Sequence, residues 1–173
     1  MWQPVLMING YLISVLGLAM LIPAVVDMLK TGQNWSSFIT SAIISLFIGL
    51  SLFLGNRTKI EKITLQQGYL LTVVSWVSLT LLATLPFIFF GITPNFADAL
   101  FEAMSGLSTT GATVITDLEV LPASILLWRS ILNGLGGIGI VIFAVALLPF
   151  LGIGGMQIFQ RENSDLNDKF MPK

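Results

Sequence analysis

Three stretches of the chain, Val5 to Val26, Trp35 to Leu54 and Tyr69 to Gly91, run for at least 20 residues without Asp, Glu, Lys or Arg. At about 1.5 Å per residue each predicts a helix able to cross a hydrocarbon core of about 30 Å. A fourth apolar stretch, Ala123 to Leu151, is longer and holds one charge, Arg129, near its start; its length predicts a tilted or broken span. No basic residue precedes the first run, and the run exceeds the roughly 7 to 15 apolar residues of a cleavable signal core, so it is expected to stay as a span.

Between the spans, Arg57, Lys59 and Lys62 fall in the second connection and Arg161, Lys169 and Lys173 in the C-terminal tail, whereas Ile92 to Pro122 has no basic residue. The bias of Lys and Arg toward the cytoplasm then predicts how a multi-pass membrane protein is oriented. Both termini and residues 56–68 lie inside, and residues 30–34 and 92–122 outside. Lys30 is the loop residue against the rule. Trp35 and Trp128 are expected in an interfacial belt.

Composition narrows the function. The chain of 173 residues is 55% hydrophobic and 10% charged, with mean hydropathy +0.90; soluble domains average about 25% charged residues. It has no Cys and no His, which excludes disulfides, thiolate and imidazole metal sites and Ser/His or Cys/His nucleophiles. No enzyme activity and no cofactor are expected. A net charge of -1 with no basic tract excludes nucleic acid as a partner, leaving membrane lipid and other membrane chains.

The connection from Ile92 to Pro122 is too long for an ordinary structureless loop. Thr93-Pro94 reads as N-cap and first helical residue, and Pro94 to Leu107 predicts a helix of about 21 Å, too short to span and too apolar for water. A re-entrant half-helix satisfies both constraints. The following Ser108-Thr109-Thr110-Gly111-Ala112-Thr113-Val114 is hydroxylic and small. Irregular backbone at membrane depth is tolerated where it is buried or lines an aqueous cavity, so this segment reads either as a cation filter of stacked carbonyls around Gly111 or as a turn over a four-helix bundle. Cation conduction and a non-conducting accessory or assembly role both fit at this point.

The run Phe101–Val114, followed by Trp128-Arg129, Leu135-Gly136-Gly137-Ile138-Gly139-Ile140 and Leu148–Gln157, resembles the first pore repeat of the Trk/Ktr/HKT potassium transporter superfamily, and Val5 to Leu54 resembles the extra helix pair of its Trk-type membrane subunits. The resemblance implies an all-α integral membrane fold. Four transmembrane helices would be joined by one re-entrant pore half-helix and filter loop between helices three and four. It divides the chain into a hairpin with its cytoplasmic connection (1–67), a helix, half-helix, filter, helix repeat (68–156) and a cytoplasmic linker (157–173).

The resemblance further implies potassium as the transported ion and a filter built from Thr109, Thr110, Gly111, Ala112 and Thr113. The chain would supply one of four such segments, the remaining repeats standing in the same or a separate chain. A homodimer of the full-length protein and a cytosolic nucleotide-binding regulatory subunit (TrkA-like) are the implied partners. Gly134 departs from the bulky aromatic that relatives often carry before Leu-Gly-Gly.

Two charged residues remain. Arg129 reads as an interfacial arginine paired with Asp117, Glu119 or Glu102, or as a charge tuning the pore mouth. Glu102, with Asp98, reads as a helix-capping group or as an acidic vestibule. The Gly134–Gly139 run satisfies GxGxxG, but no strand precedes it and it lies within an apolar span, so close helix packing is the better reading.

Overall fold

The structure, a computed structural model, describes residues 2–30, 34–58, 64–116, 118 and 121–147. Described elements are all helical: α1 (Gln3–Ala19), α2 (Leu21–Lys30), α3 (Trp35–Gly55), α4 (Leu65–Ala83), α5 (Leu85–Phe90), α6 (Phe96–Leu107) and α7 (Ala123–Leu147). The chain divides into two units, Met1–Gly139 and Ile140–Lys173. In the second, the described residues 140–147 are helical, and all packing below is within the first. Asp117, Glu119, Lys59, Lys62, the Leu148–Gln157 motif and the tail 157–173 lie outside the described residues.

Four segments are long and apolar enough to cross a membrane: Gln3–Lys30, Trp35–Gly55, Leu65–Phe90 and Ala123–Ile142. Two of them are interrupted close to a proline, which withholds a backbone N–H. The first changes from α1 to α2 at Met20, three residues before Pro23. The third breaks at Thr84, two residues before Pro86. There the hydroxyls of Thr80 and Thr84 bond back to the carbonyls of Trp76 and Thr80, each at 2.7 Å, a pattern that bends helices. The Trp128 indole N–H donates to the Ala83 carbonyl at 3.2 Å. Trp128 is therefore fully buried, edge-on to Phe38, and not in an interfacial belt. Trp35, at the start of α3, is exposed.

The packing of α1 on α3 depends on missing side chains. A Cβ on Gly10 would stand 2.7 Å from the Gly49 carbonyl oxygen, and one on Gly49 would stand 2.8 Å from the Gly10 oxygen. Such close approach lets dispersion hold helices together where lipid removes the hydrophobic drive.

A buried carboxylate ties this hairpin to α7. Asp27 is 1% exposed; its Oδ2 accepts the Asn34 backbone N–H at 3.0 Å, and its Oδ1 accepts the Ser124 hydroxyl at 2.7 Å. Ser124 is in the first turn of α7, where negative charge is favoured by the helix dipole. Asp27→Ala is expected to lower the thermal unfolding midpoint of the detergent-solubilised protein, at roughly 1 to 3 kcal/mol for each buried group stripped of its acceptor. Asp27→Asn retains an acceptor oxygen and should lose less. An unchanged midpoint in Asp27→Ala would contradict this clamp.

The short helix begins later than its sequence motif predicts. Its N-cap is Asn95, in extended conformation, and not Thr93. The Thr93 hydroxyl, which would accept a first-turn N–H as a cap, is buried without a hydrogen-bond partner among the described residues. The Asn95 carbonyl instead accepts the Ala99 N–H at 3.2 Å. The 12 residues of α6 span about 18 Å.

Candidate functional site

Everything distinctive about the site starts at the C-terminus of α6. The Thr109 N–H donates to the Gly106 carbonyl and the Thr110 N–H to the Ser105 carbonyl, both at 3.0 Å. This pair of bonds is a Schellman closure, which requires a left-handed residue just past the helix end, usually glycine. Here that residue is Thr109, with φ 58°. Two residues on, Gly111 is left-handed as well, at φ 73°. A β-branched residue at positive φ is strained, and such strain persists where the surroundings over-determine the backbone.

The rear of the segment is held by α6 itself. The Ser105 hydroxyl donates to the Ala112 carbonyl at 2.6 Å. Glu102 Oε1 accepts both the Thr113 hydroxyl at 2.6 Å and the Val114 backbone N–H at 2.8 Å. Arg129 approaches from α7, its Nη1 3.1 Å from Glu102 Oε2 and donating to the Thr113 hydroxyl at 3.0 Å. Oε2 is an ion-pair partner there without an aligned hydrogen bond. Glu102 is 1% exposed, so its charge is compensated within the chain.

Helix α7 also fixes where α6 ends. A Cβ on Gly136 would overlap the Leu107 carbonyl oxygen, and one on Gly106 would stand 2.9 Å from the Leu132 Cβ. The glycine run of α7 is thus a close-packing surface at Gly136, whereas among the described residues nothing lies within 4 Å of a Cβ at Gly134 or Gly139.

Of the residues singled out from sequence, Thr109, Thr110, Gly111, Ala112 and Thr113 form one exposed segment. Glu102 and Arg129 meet behind it. Of the three acids weighed as partners of Arg129, Glu102 is the one among the described residues. Ser105 was missed, although its position three residues after Glu102 places it on the same helix face. Asp27 was missed because it stands just past an uncharged run and reads as a loop acid.

Four apolar helical segments of spanning length make this a multi-pass helical membrane protein. Residues 33–173 match the family model described as TrkH, cation transport protein. The chain belongs to that family. It is 38% identical over 161 residues to the Trk system potassium uptake protein TrkH of Halomonas elongata, covering 91% of this chain and 33% of the relative. It is 39% identical over 157 residues to TrkH of Escherichia coli strain K12, covering 90% and 32%. The crystal structure of the potassium transporter TrkH from Vibrio parahaemolyticus is similar in fold, with TM-score 0.83 and 38% identity over 90% of this chain and 33% of that one. The chain spans about a third of the length of these relatives, which are named as uptake proteins and transporters, not enzymes.

Proposed function

We propose that the chain is the N-terminal part of a potassium uptake protein and supplies one of four selectivity-filter segments. The observation that carries this reading is the end of α6, where an apolar helix too short to span leads into a segment with two left-handed residues, Thr109 and Gly111. The segment is held from behind and open in front. In this reading α6 is a re-entrant half-helix entering from outside, and its C-terminal partial negative charge favours a cation. Carbonyls of the 109–113 segment replace the water of the ion. The Ala112 oxygen, taken by Ser105, is the one held away from the ion path. Named relatives that take up potassium support the choice of ion. The remaining repeats, a homodimer, a TrkA-like nucleotide-binding subunit and a bacterial inner membrane complete the assembly.

The test is a hybrid in which residues 1–173 are joined to the remainder of the Vibrio parahaemolyticus protein. In a strain lacking potassium uptake, the hybrid is expected to restore growth at low potassium, and residues 1–173 by themselves are not, because a ring needs four segments. No growth with the hybrid present in the membrane at normal level would count against the reading. Growth with residues 1–173 as the sole source would mean that the chain builds its own ring.

Orientation is tested separately. With no native Cys, a single Cys at position 118 is expected to react with an impermeant thiol reagent in intact cells, and one at position 60 is not. The reverse pattern would invert the topology.

A further inference from the structure

We infer that Glu102 is a positioning residue for the filter, which aims the Thr113 carbonyl by holding the Val114 N–H. This rests on the reading of residues 109–113 as a filter. The peptide unit between Thr113 and Val114 is planar and trans, so its C=O and N–H point in opposite directions; no peptide bond among the described residues is cis. Glu102 Oε1 takes the N–H at 2.8 Å, on the side of α6. The Thr113 carbonyl of the same unit therefore points away from α6. The preceding unit is set the other way round. Ser105 takes the Ala112 carbonyl at 2.6 Å, which turns the Thr113 N–H forward. Two side chains one helical turn apart thus fix two consecutive peptide planes in opposite senses.

The Thr113 hydroxyl locks the arrangement. A hydroxyl has one donor and two acceptor sites, and all three are used: it donates to Glu102 and accepts from Arg129 and from the Ile115 N–H at 3.1 Å. Arg129 supplies the charge that makes a buried carboxylate tolerable, since a buried ion left alone is strongly destabilising. Its part is to pair with the Glu102 carboxylate and hold it in place. Glu102 is the group that touches the filter backbone.

The experiment uses the hybrid in membrane vesicles and reads the ratio of rubidium to sodium uptake, together with the amount and size of the solubilised protein. Glu102→Ala is expected to lower the ratio about tenfold, as a charge-assisted hydrogen bond to the filter is lost. The double variant Glu102→Gln with Arg129→Gln is expected to recover most of the ratio, because its amide oxygen still accepts the Val114 N–H and no charge is left unpaired. A merely structural role would lower protein amount in both and leave the ratio unchanged. If Glu102→Ala does not accumulate, Ser105→Ala is read instead, with a fall of about two- to threefold from one neutral bond.

An unchanged ratio in Glu102→Ala, or in Ser105→Ala if it is the variant read, would overturn the inference when Gly111→Ser in the same vesicles does shift it. If Gly111→Ser also leaves the ratio unchanged, it is the filter reading that fails.

Discussion

Gly111→Ser is expected to abolish most of the discrimination between potassium and sodium in the hybrid, while Ser108→Ala and Thr116→Ala leave it nearly intact. Among the described residues nothing lies within 4 Å of a Cβ at Gly111, so the expected loss does not rest on steric overlap. The cost is conformational: at φ 73° a side chain costs roughly 1 to 2 kcal/mol. The backbone relieves it by rotating away from positive φ, which swings the carbonyls on either side. A free-energy change of about 1.4 kcal/mol alters an equilibrium tenfold, enough to erase a preference built from a few dipoles. Ser108 bonds Thr110 through its hydroxyl at 2.7 Å, and among the described residues it bonds no backbone carbonyl of the 109–113 segment. Thr116 is exposed. An unchanged uptake ratio in Gly111→Ser at normal membrane level would remove this segment as the filter.

The second large effect is expected at Gly136, and its cause is the opposite one. Gly136 has ordinary helical backbone, but a Cβ would overlap the carbonyl oxygen of Leu107 and stand 2.6 Å from its carbon. The obstacle is backbone, so α6 must move as a whole. Overpacking of this kind costs about 1 to 3 kcal/mol, and the shift passes directly into the Schellman closure at Thr109. Gly136→Ala should therefore lower both the thermal midpoint of the hybrid and its rubidium-to-sodium ratio. Gly134→Ala should change neither, since no atom of the described residues lies within 4 Å of a Cβ there. Equal midpoints for the two alanine variants would show that α7 does not set the position of α6.

The four spans were legible in the sequence because each is an average over some 20 residues, and one misread position does not change the outcome. The start of α6 turned on single residues: Thr93-Pro94 has the composition of an N-cap and first helical residue, yet the helix is capped two residues later, at Asn95. Gly111 was legible as the one glycine in a hydroxylic run. The left-handed turn at Thr109 was not, since threonine is among the least suited residues for it; two backbone bonds to Ser105 and Gly106 impose it. Glu102 and Arg129 were visible as charges in an apolar context, but the direction of Glu102 depends on irregular backbone 11 and 12 residues on, where no periodicity applies. Trp128 read as interfacial because an amphipathic ring near a span end usually is; a broken helix opposite it supplied the buried acceptor.

The bond between Asp27 and Ser124 bridges 97 residues, and that distance is also a delay. At a synthesis rate of roughly 5 to 20 residues per second, the hydroxyl that Asp27 will hold is made about 5 to 20 s after the carboxylate itself. The contact with Asn34, seven residues away, is available almost at once. The hairpin of the first two spans thus enters the bilayer on local bonds and glycine packing, and the end that carries Asp27 is fastened when α7 arrives. Until then the bond from Ser124 is still unmade, and the order of translation becomes the order of assembly.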